Sequence, residues 1–347
     1  MRKGLSFLWA LALAACAGGG GSNPPMPPGG SSDTLQSTAS QITTQSTGGT
    51  LWNIGTGAST YSYALQDLDF YPDSITIDAG DAIAFHVASG SGGDAHTVSF
   101  VPSGQSVPSP FNPNDVVPAG GTTVDGTKFV NSGILFGGQI FTLHFTKAGT
   151  YKIYCLFHEP AMVMTVVVQN AGAAYPHNAQ YYLTAGENDE WVDLGAAQRS
   201  VASFPFPNFG TSIAAGIDPG LTSGPPTQST VLRFLNHNDP TGSVVGSEGS
   251  FTVKAGTTIT FQNETRNEPH TVTLASLSQI ASMPPDPSVN AVAAPGVTTF
   301  DGTKIVNSGT LPPNAKFLVK FTKAGTYFYG CIYHFNSRMT GTITVTP

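Results

Sequence analysis

From about residue 50 the chain alternates apolar and polar positions in short runs. Ser74-Ile75-Thr76-Ile77 puts its apolar side chains two apart, Ala79-Gly80-Asp81 breaks the run, and Ile83 and Phe85 resume it. Phe251-Thr252-Val253, Ala255-Gly256-Thr257, Ile259 and Phe261 follow the same scheme. A period of two, with turn residues every ~8–12 positions, predicts strands that bury one face, packed as a sandwich. Val163 to Val168 and Thr340 to Thr346 are β-branched runs that predict a closing strand for each half.

The two halves are copies. Asp125-Gly126-Thr127-Lys128 returns as Asp301-Gly302-Thr303-Lys304, and Val130-Asn131-Ser132-Gly133 returns as Val306-Asn307-Ser308-Gly309. Phe145-Thr146-Lys147-Ala148-Gly149-Thr150-Tyr151 returns as Phe321-Thr322-Lys323-Ala324-Gly325-Thr326-Tyr327. Cys155 returns as Cys331 at the same offset. Such self-similarity marks a duplicated structural unit. It predicts two domains, residues 50–170 and 228–347, separated by a segment over 171–227. A structureless stretch of that length is uncommon in compact proteins, so part of it is expected to order against a domain.

Composition sharpens the picture. Only 10% of the 347 residues are charged, while Gly numbers 40 and Pro 26. This is a turn-rich, all-β profile. The net charge of −7 argues against a nucleic-acid partner, which calls for a basic patch.

At the N-terminus, Arg2 and Lys3 precede an apolar run from Leu5 to Ala15 that is too short for a permanent span. The whole of 1–16 reads as a signal peptide. Leu13-Ala14-Ala15-Cys16 resembles a bacterial lipobox, in which Cys16 is lipidated; the alternative is an ordinary secretory signal with an incidental cysteine. Residues 17–49 are Gly, Ser, Pro, Thr and Gln-rich and read as a disordered tether reaching on the order of 30 Å. The expectation is an exported lipoprotein facing the periplasm or the extracellular side, with membrane contact only through its lipid.

The chemistry sits at the two remaining cysteines. Cys155-Leu156-Phe157-His158 and Cys331-Ile332-Tyr333-His334 each place a thiol and an imidazole three apart between two strands. Met162 and Met339 follow, and His96 and His270 lie upstream on another strand. Two imidazoles, a thiolate and a thioether suit copper: trigonal His2Cys with a weak axial Met is the blue-copper arrangement. Zinc prefers four strong ligands and seldom takes Met.

Cys331-x-x-His334-x4-Met339, preceded by Ala324-Gly325-Thr326-Tyr327 and followed by Thr340-Gly341-Thr342-Ile343-Thr344-Val345, resembles the plastocyanin and azurin family of cupredoxins. The likeness covers both copies. It implies two tandem Greek-key β-sandwiches, each with one type 1 copper held by His96, Cys155, His158 and Met162 or by His270, Cys331, His334 and Met339. It implies electron transfer as the function. It also implies that redox partners dock where the loop histidines emerge, beside Phe157, Tyr333 and Phe335.

The first copy departs from the pattern, since its His158-to-Met162 spacing is one residue shorter. Both copies also have Thr, Thr97 and Thr271, where many relatives have an Asn that braces the ligand loop. Weaker or different bracing is therefore expected. Met164 rivals Met162 as the axial ligand, but it aligns with Gly341 and reads as core. His86, His144, His177 and His237 read as surface or hydrogen-bonded histidines, and Asp125 and Asp301 as turn formers. Two other functions compete. One is a copper oxidoreductase of the nitrite reductase or laccase type, disfavoured because Tyr154 and Gly330 rather than His precede the cysteines and no His-x-His occurs. The other is an envelope copper carrier.

Overall fold

The alternating runs fold into strands. The structure, a computed structural model, describes residues 49–347 apart from 61–64, 89–94, 113, 204–211, 219–228, 237–250, 267, 285–295 and 336. In the first half the strands are β1 (Leu51–Thr60), β2 (Leu65–Tyr71), β3 (Ser74–Asp78), β4 (Ala82–Val87), β5 (Ser99–Phe100), β6 (Thr123–Val124), β7 (Val130–Asn131), β8 (Ile140–Phe145), β9 (Gly149–Tyr154) and β10 (Val163–Gln169). Helix α1 (Ala179–Ser203) follows. The second half comprises β11 (Ser212–Ile217), β12 (Ser229–Asn236), β13 (Phe251–Lys254), β14 (Thr258–Asn263), β15 (Thr273–Leu274), α2 (Leu277–Ala281), β16 (Val297–Phe300), β17 (Val306–Asn307), β18 (Lys316–Phe321), β19 (Gly325–Gly330) and β20 (Thr340–Thr346).

Each half is a sandwich with its own core. In the first, β2-β1-β4-β8-β6 packs on β3-β10-β9-β5-β7; in the second, β16-β18-β14-β11-β12 packs on β13-β20-β19-β15-β17. Ile54, Phe70, Phe85 and Phe145 meet Ile77, Ile153 and Val166 in the first core. Phe234, Phe261, Val319 and Phe321 meet Tyr329, Ile343 and Val345 in the second. Burial follows the period of two: in β20, Gly341, Ile343 and Val345 are buried while the threonines between them are half-buried.

The two larger sheets are one. β2 pairs antiparallel with β12, setting Gln66 opposite Thr230 and Leu65 opposite Val231, so a ten-stranded sheet runs through both domains. Joining the domains through these strands satisfies backbone groups that two free sheet edges would expose.

Two parts of the segment 171–227 are ordered elements, helix α1 and strand β11. β11 pairs in parallel with β14 and antiparallel with β12, and Ile213 and Ala215 lie in the second core. It does for β14 what β1 does for β4. β11 is thus a strand of the second sandwich that lies ahead of residue 228; no repeated words announce it, because only its buried face and its pairing are shared with β1.

Helix α1 starts at Asn178, whose side chain accepts the Tyr181 N–H. It packs on the first domain through Leu194 against Ala58 and Tyr71, and Gly186 lies where a Cβ would come within 2.8 Å of the Tyr71 carbonyl carbon. Among the described residues no helix is long and apolar enough to cross a membrane.

Candidate metal centres

Three chain segments converge at the same end of each sandwich. His96 and Leu135 exchange backbone hydrogen bonds of 2.9 and 2.8 Å, and His270 and Leu311 exchange bonds of 3.1 and 2.7 Å. Cys155 follows β9 and Cys331 follows β19; each loop then turns back into β10 or β20. The returns close alike. The Cys155 N–H donates to the Met162 carbonyl at 3.1 Å and the Met162 N–H to the His158 carbonyl at 2.9 Å; for Cys331, Met339 and His334 the distances are 3.0 and 3.1 Å. The extra residue of the second loop is absorbed at Arg338, which takes a left-handed φ of 61°.

The donors converge. Cys155 Sγ lies 3.3 Å from His158 Nδ1 and 3.8 Å from His96 Nδ1. Cys331 Sγ lies 3.4 Å from His334 Nδ1 and 3.9 Å from His270 Nδ1, and the two imidazole Nδ1 atoms are 3.1 Å apart. Within each trio the ligand atoms lie within 4.8 Å of one another, and no residue of either trio is more than 1% exposed. Such separations suit one first-row ion bound at about 2.0 Å by nitrogen and 2.3 Å by sulfur, the values for zinc. Two imidazoles with a thiolate, buried, are a donor set that fits copper.

A family model for copper binding proteins of the plastocyanin/azurin family matches residues 59–169 and again 239–346. The chain belongs to that family. Among solved structures it is similar to a reduced amicyanin variant (20% identity, 34% of this chain and 82% of that one, TM-score 0.23). It is also similar to dithionite-reduced auracyanin from Roseiflexus castenholzii (26%, 29% and 86%, TM-score 0.21) and to a purple cupredoxin from Nitrosopumilus maritimus (17%, 39% and 98%, TM-score 0.22). No curated protein matches the chain. The protein is thus a double cupredoxin, and its two ligand groups, one per domain, fit two type 1 copper sites.

Within this cupredoxin pair the bracing that the sequence left open comes from the threonines. The Thr97 N–H donates to Cys155 Sγ at 3.3 Å, and its hydroxyl oxygen accepts the Leu156 N–H at 2.7 Å. Thr271 repeats both contacts on Cys331 and Ile332 at 3.3 and 2.7 Å. The hydroxyl ties the His-bearing strand to the Cys loop, so bracing is arranged differently from the Asn pattern and alike in both domains. The repeated Val-Asn-Ser-Gly motif holds the same strand: Ser132 accepts the Val98 N–H at 2.9 Å and Ser308 the Val272 N–H at 2.8 Å.

Met164 fills core. It pairs with Ile153 on β9, where the second domain has Gly341 opposite Tyr329. A Cβ on Gly341 would come within 2.3 Å of the Tyr329 ring, so a long side chain opposite a medium one is exchanged for none opposite a large ring. Asp125 and Asp301 make turns, each accepting the N–H and hydroxyl two residues on at 2.9 and 2.6 Å. His86 bonds Asn53 at 2.8 Å, His177 stacks on Tyr181, and His144 is half-buried in β8. His237, Cys16 and the N-terminal segments lie outside the described residues.

Sequence reasoning missed three residues. Gly57 and Gly216 sit at matching register shifts in β1 and β11 with φ of 71° and 69°. Their bare Cα atoms back the upstream ligands: a Cβ would lie 2.5 Å from His96 Nε2 and 2.4 Å from His270 Nε2. A glycine interrupting a strand was the available signal.

The third is Glu268, which reaches His158 Nε2 at 2.7 Å and His334 Nε2 at 2.8 Å. Both histidines are buried, as are Phe157 and Tyr333. Of the residues expected to face a docking partner, Phe335 alone is half-buried; the two histidine rings point toward one carboxylate between the domains. The signal was the acidic residue two before each upstream His, Glu268 in one copy and Asp94 in the other; nothing in the repeat links it to the loop of the opposite domain.

The carboxylate sets the tautomer. Each loop histidine donates its Nε2–H to Glu268, so Nδ1 is the ring nitrogen turned to the sulfur: without metal its proton is shared with the thiolate, and that proton must leave for Nδ1 to bind a metal. Burial would raise the Cys155 thiol, but the charge of His158 and hydrogen bonds from both histidines bring it down to about 5. Cys331 is likewise held well below the ordinary thiol range, against the effect of burial, chiefly by the charge of His334. Burial pushes the Glu268 carboxyl up, but His158 and His334 outweigh it and hold the group ionised.

Proposed function

We propose that the protein is a non-catalytic electron carrier that holds two type 1 coppers, exchanging single electrons with redox proteins in the cell envelope. The observation that carries this reading is the closure of both sites: every His and Cys donor is buried, and the outward nitrogen of each loop histidine is capped by a carboxylate. Bound copper supplies the one-electron chemistry, alternating between Cu(I) and Cu(II). The chain's part would be to hold a thiolate and two neutral imidazoles in one arrangement that serves both oxidation states, with Met162 and Met339 supplying thioethers. Thr97 and Thr271 fix the thiolate against the upstream strand, so a change of charge moves little.

Burial of the donors, among the described residues, favours a carrier over an oxidoreductase. It also supports retention of the metal over ready release, and so an electron carrier over a copper buffer. Export and lipid anchoring at Cys16 rest on the N-terminal pattern.

The test is to load the protein with Cu(II) and record visible absorption, metal content and voltammetry. Two coppers per chain, intense blue colour and reversible waves are expected. Cys155→Ser and Cys331→Ser each remove one site. A colourless protein, or one that keeps zinc in preference to copper, overturns the reading.

A further inference from the structure

We propose that the two centres form one redox pair, exchanging an electron inside the molecule across the bridge His158–Glu268–His334. The inference rests on the blue-copper reading and adds where the electron goes.

Glu268 gives one oxygen to each domain: Oε2 accepts from His158 Nε2 at 2.7 Å and Oε1 from His334 Nε2 at 2.8 Å. In each histidine the opposite ring atom, Nδ1, faces the ligand cysteine at 3.3 or 3.4 Å. Between one metal-facing nitrogen and the other there are thus only a ring, a hydrogen bond, a carboxylate, a hydrogen bond and a ring. The carboxylate is held from its own domain. Its backbone carbonyl accepts from Asn263 Nδ2 at 2.7 Å and from the Thr265 hydroxyl at 2.8 Å, and Asn263 in turn accepts the Thr265 N–H at 2.9 Å. The β2–β12 pairing fixes the two domains in the register that brings His158 to it.

Adhesion alone does not account for this arrangement. Burying a carboxylate costs several kcal/mol before its partners offset the loss, and apolar packing would join two domains with less penalty. The carboxylate stands instead at the one place where it touches a ligand ring from each site.

In the exchange, copper at one site is oxidised from Cu(I) to Cu(II) while copper at the other is reduced from Cu(II) to Cu(I). Each Nε2–H stays on its histidine, so no proton changes owner. External partners then meet the pair away from the loop-histidine edges.

The experiment uses the full chain with both coppers bound, reduced by one electron per molecule. Blue absorption and metal content are checked first, and their failure removes the blue-copper reading rather than this one. Paramagnetic NMR line widths near each site then report electron exchange, while pulsed dipolar EPR of the fully oxidised protein reports the copper–copper distance. We expect an exchange rate unchanged on dilution. In Glu268→Gln, whose amide oxygen accepts from one histidine while its NH2 faces the other, we expect that rate to fall by about 10–100-fold, the range over which an outer-shell carboxylate acts. The EPR distance is expected to stay the same. Unchanged exchange at unchanged distance overturns the proposal. So does a wild-type rate that scales with protein concentration, and this decides the matter even if the variant fails to load.

Discussion

Alanine at Gly57 tests whether the strand backbone, and not only the ligands, shapes the first site. Gly57 has φ of 71°, where an L-residue costs about 1–2 kcal/mol. Its new Cβ would lie 2.5 Å from His96 Nε2 and 2.8 Å from Cε1. That is about 1 Å inside the ~3.5 Å separation of touching heavy atoms. His96 is wholly buried, so the ring or the strand must shift, and overpacking of this kind costs about 1–3 kcal/mol. The two effects together predict a loss of about 2–5 kcal/mol. They also predict selective weakening of copper at the first site, by about 10–100-fold, since the histidine is displaced from its donors. Gly216→Ala does the same to the second site through the 2.4 Å approach to His270 Nε2. The control is Gly104→Ala: φ is 83° with nothing within 4 Å, so only the backbone contribution applies. Denaturant melts of the metal-free proteins give the stabilities. Copper titrations in the Cys331→Ser background isolate the first site. If Gly57→Ala matches Gly104→Ala in both readouts, the backing role assigned to this glycine is wrong.

Three further outcomes follow from the same geometry. Met164→Ala opens a cavity and lowers stability by about 2–5 kcal/mol while the first site's visible and EPR spectra stay unchanged, whereas Met162→Gln alters those spectra; the reverse pattern would exchange the two roles. Thr97→Val leaves the buried Leu156 N–H without its acceptor and costs about 1–3 kcal/mol in a thermal or denaturant melt, and Thr271→Val does the same at Ile332. Asp69, on β2 and near Asp193 of α1, is pushed up to about 8 by burial and by repulsion from Asp67, Asp193 and Asp73. Its raised value means the fold favours the protonated form, so its contribution is fullest below about pH 4 and is lost as pH rises toward 8. Asp69→Asn is therefore expected to stabilise the metal-free protein at pH 8.5 and to change it far less at pH 5; an equal effect at both pH values removes the assignment.

Much of the fold was legible because it is written locally. Period-two runs and turn residues state where strands begin and which face they bury, and a duplication states them twice. The donors were legible for a related reason: Cys, His and Met lie in one short loop, and loop closure at that spacing leaves few ways to arrange them. The loop spacing by which the two copies differ leaves the backbone alike: Arg338 absorbs the additional residue and Met339 makes the same backbone bonds as Met162. Helix α1 was obscured because its sequence carries little contrast between faces, and β11 because a strand buried by pairing needs no repeated motif.

Two sandwiches and two sets of copper donors follow from spacing along the chain alone. It could not determine what lies between them. That Gly57 and Gly216 back the upstream histidines depends on β1 and β11 packing against the segments that carry His96 and His270. That the loop histidines are interior, and answer to one glutamate, depends on β2 finding β12. Those are contacts between chain segments that are distant in sequence, and only the packed structure puts them within reach of a hydrogen bond.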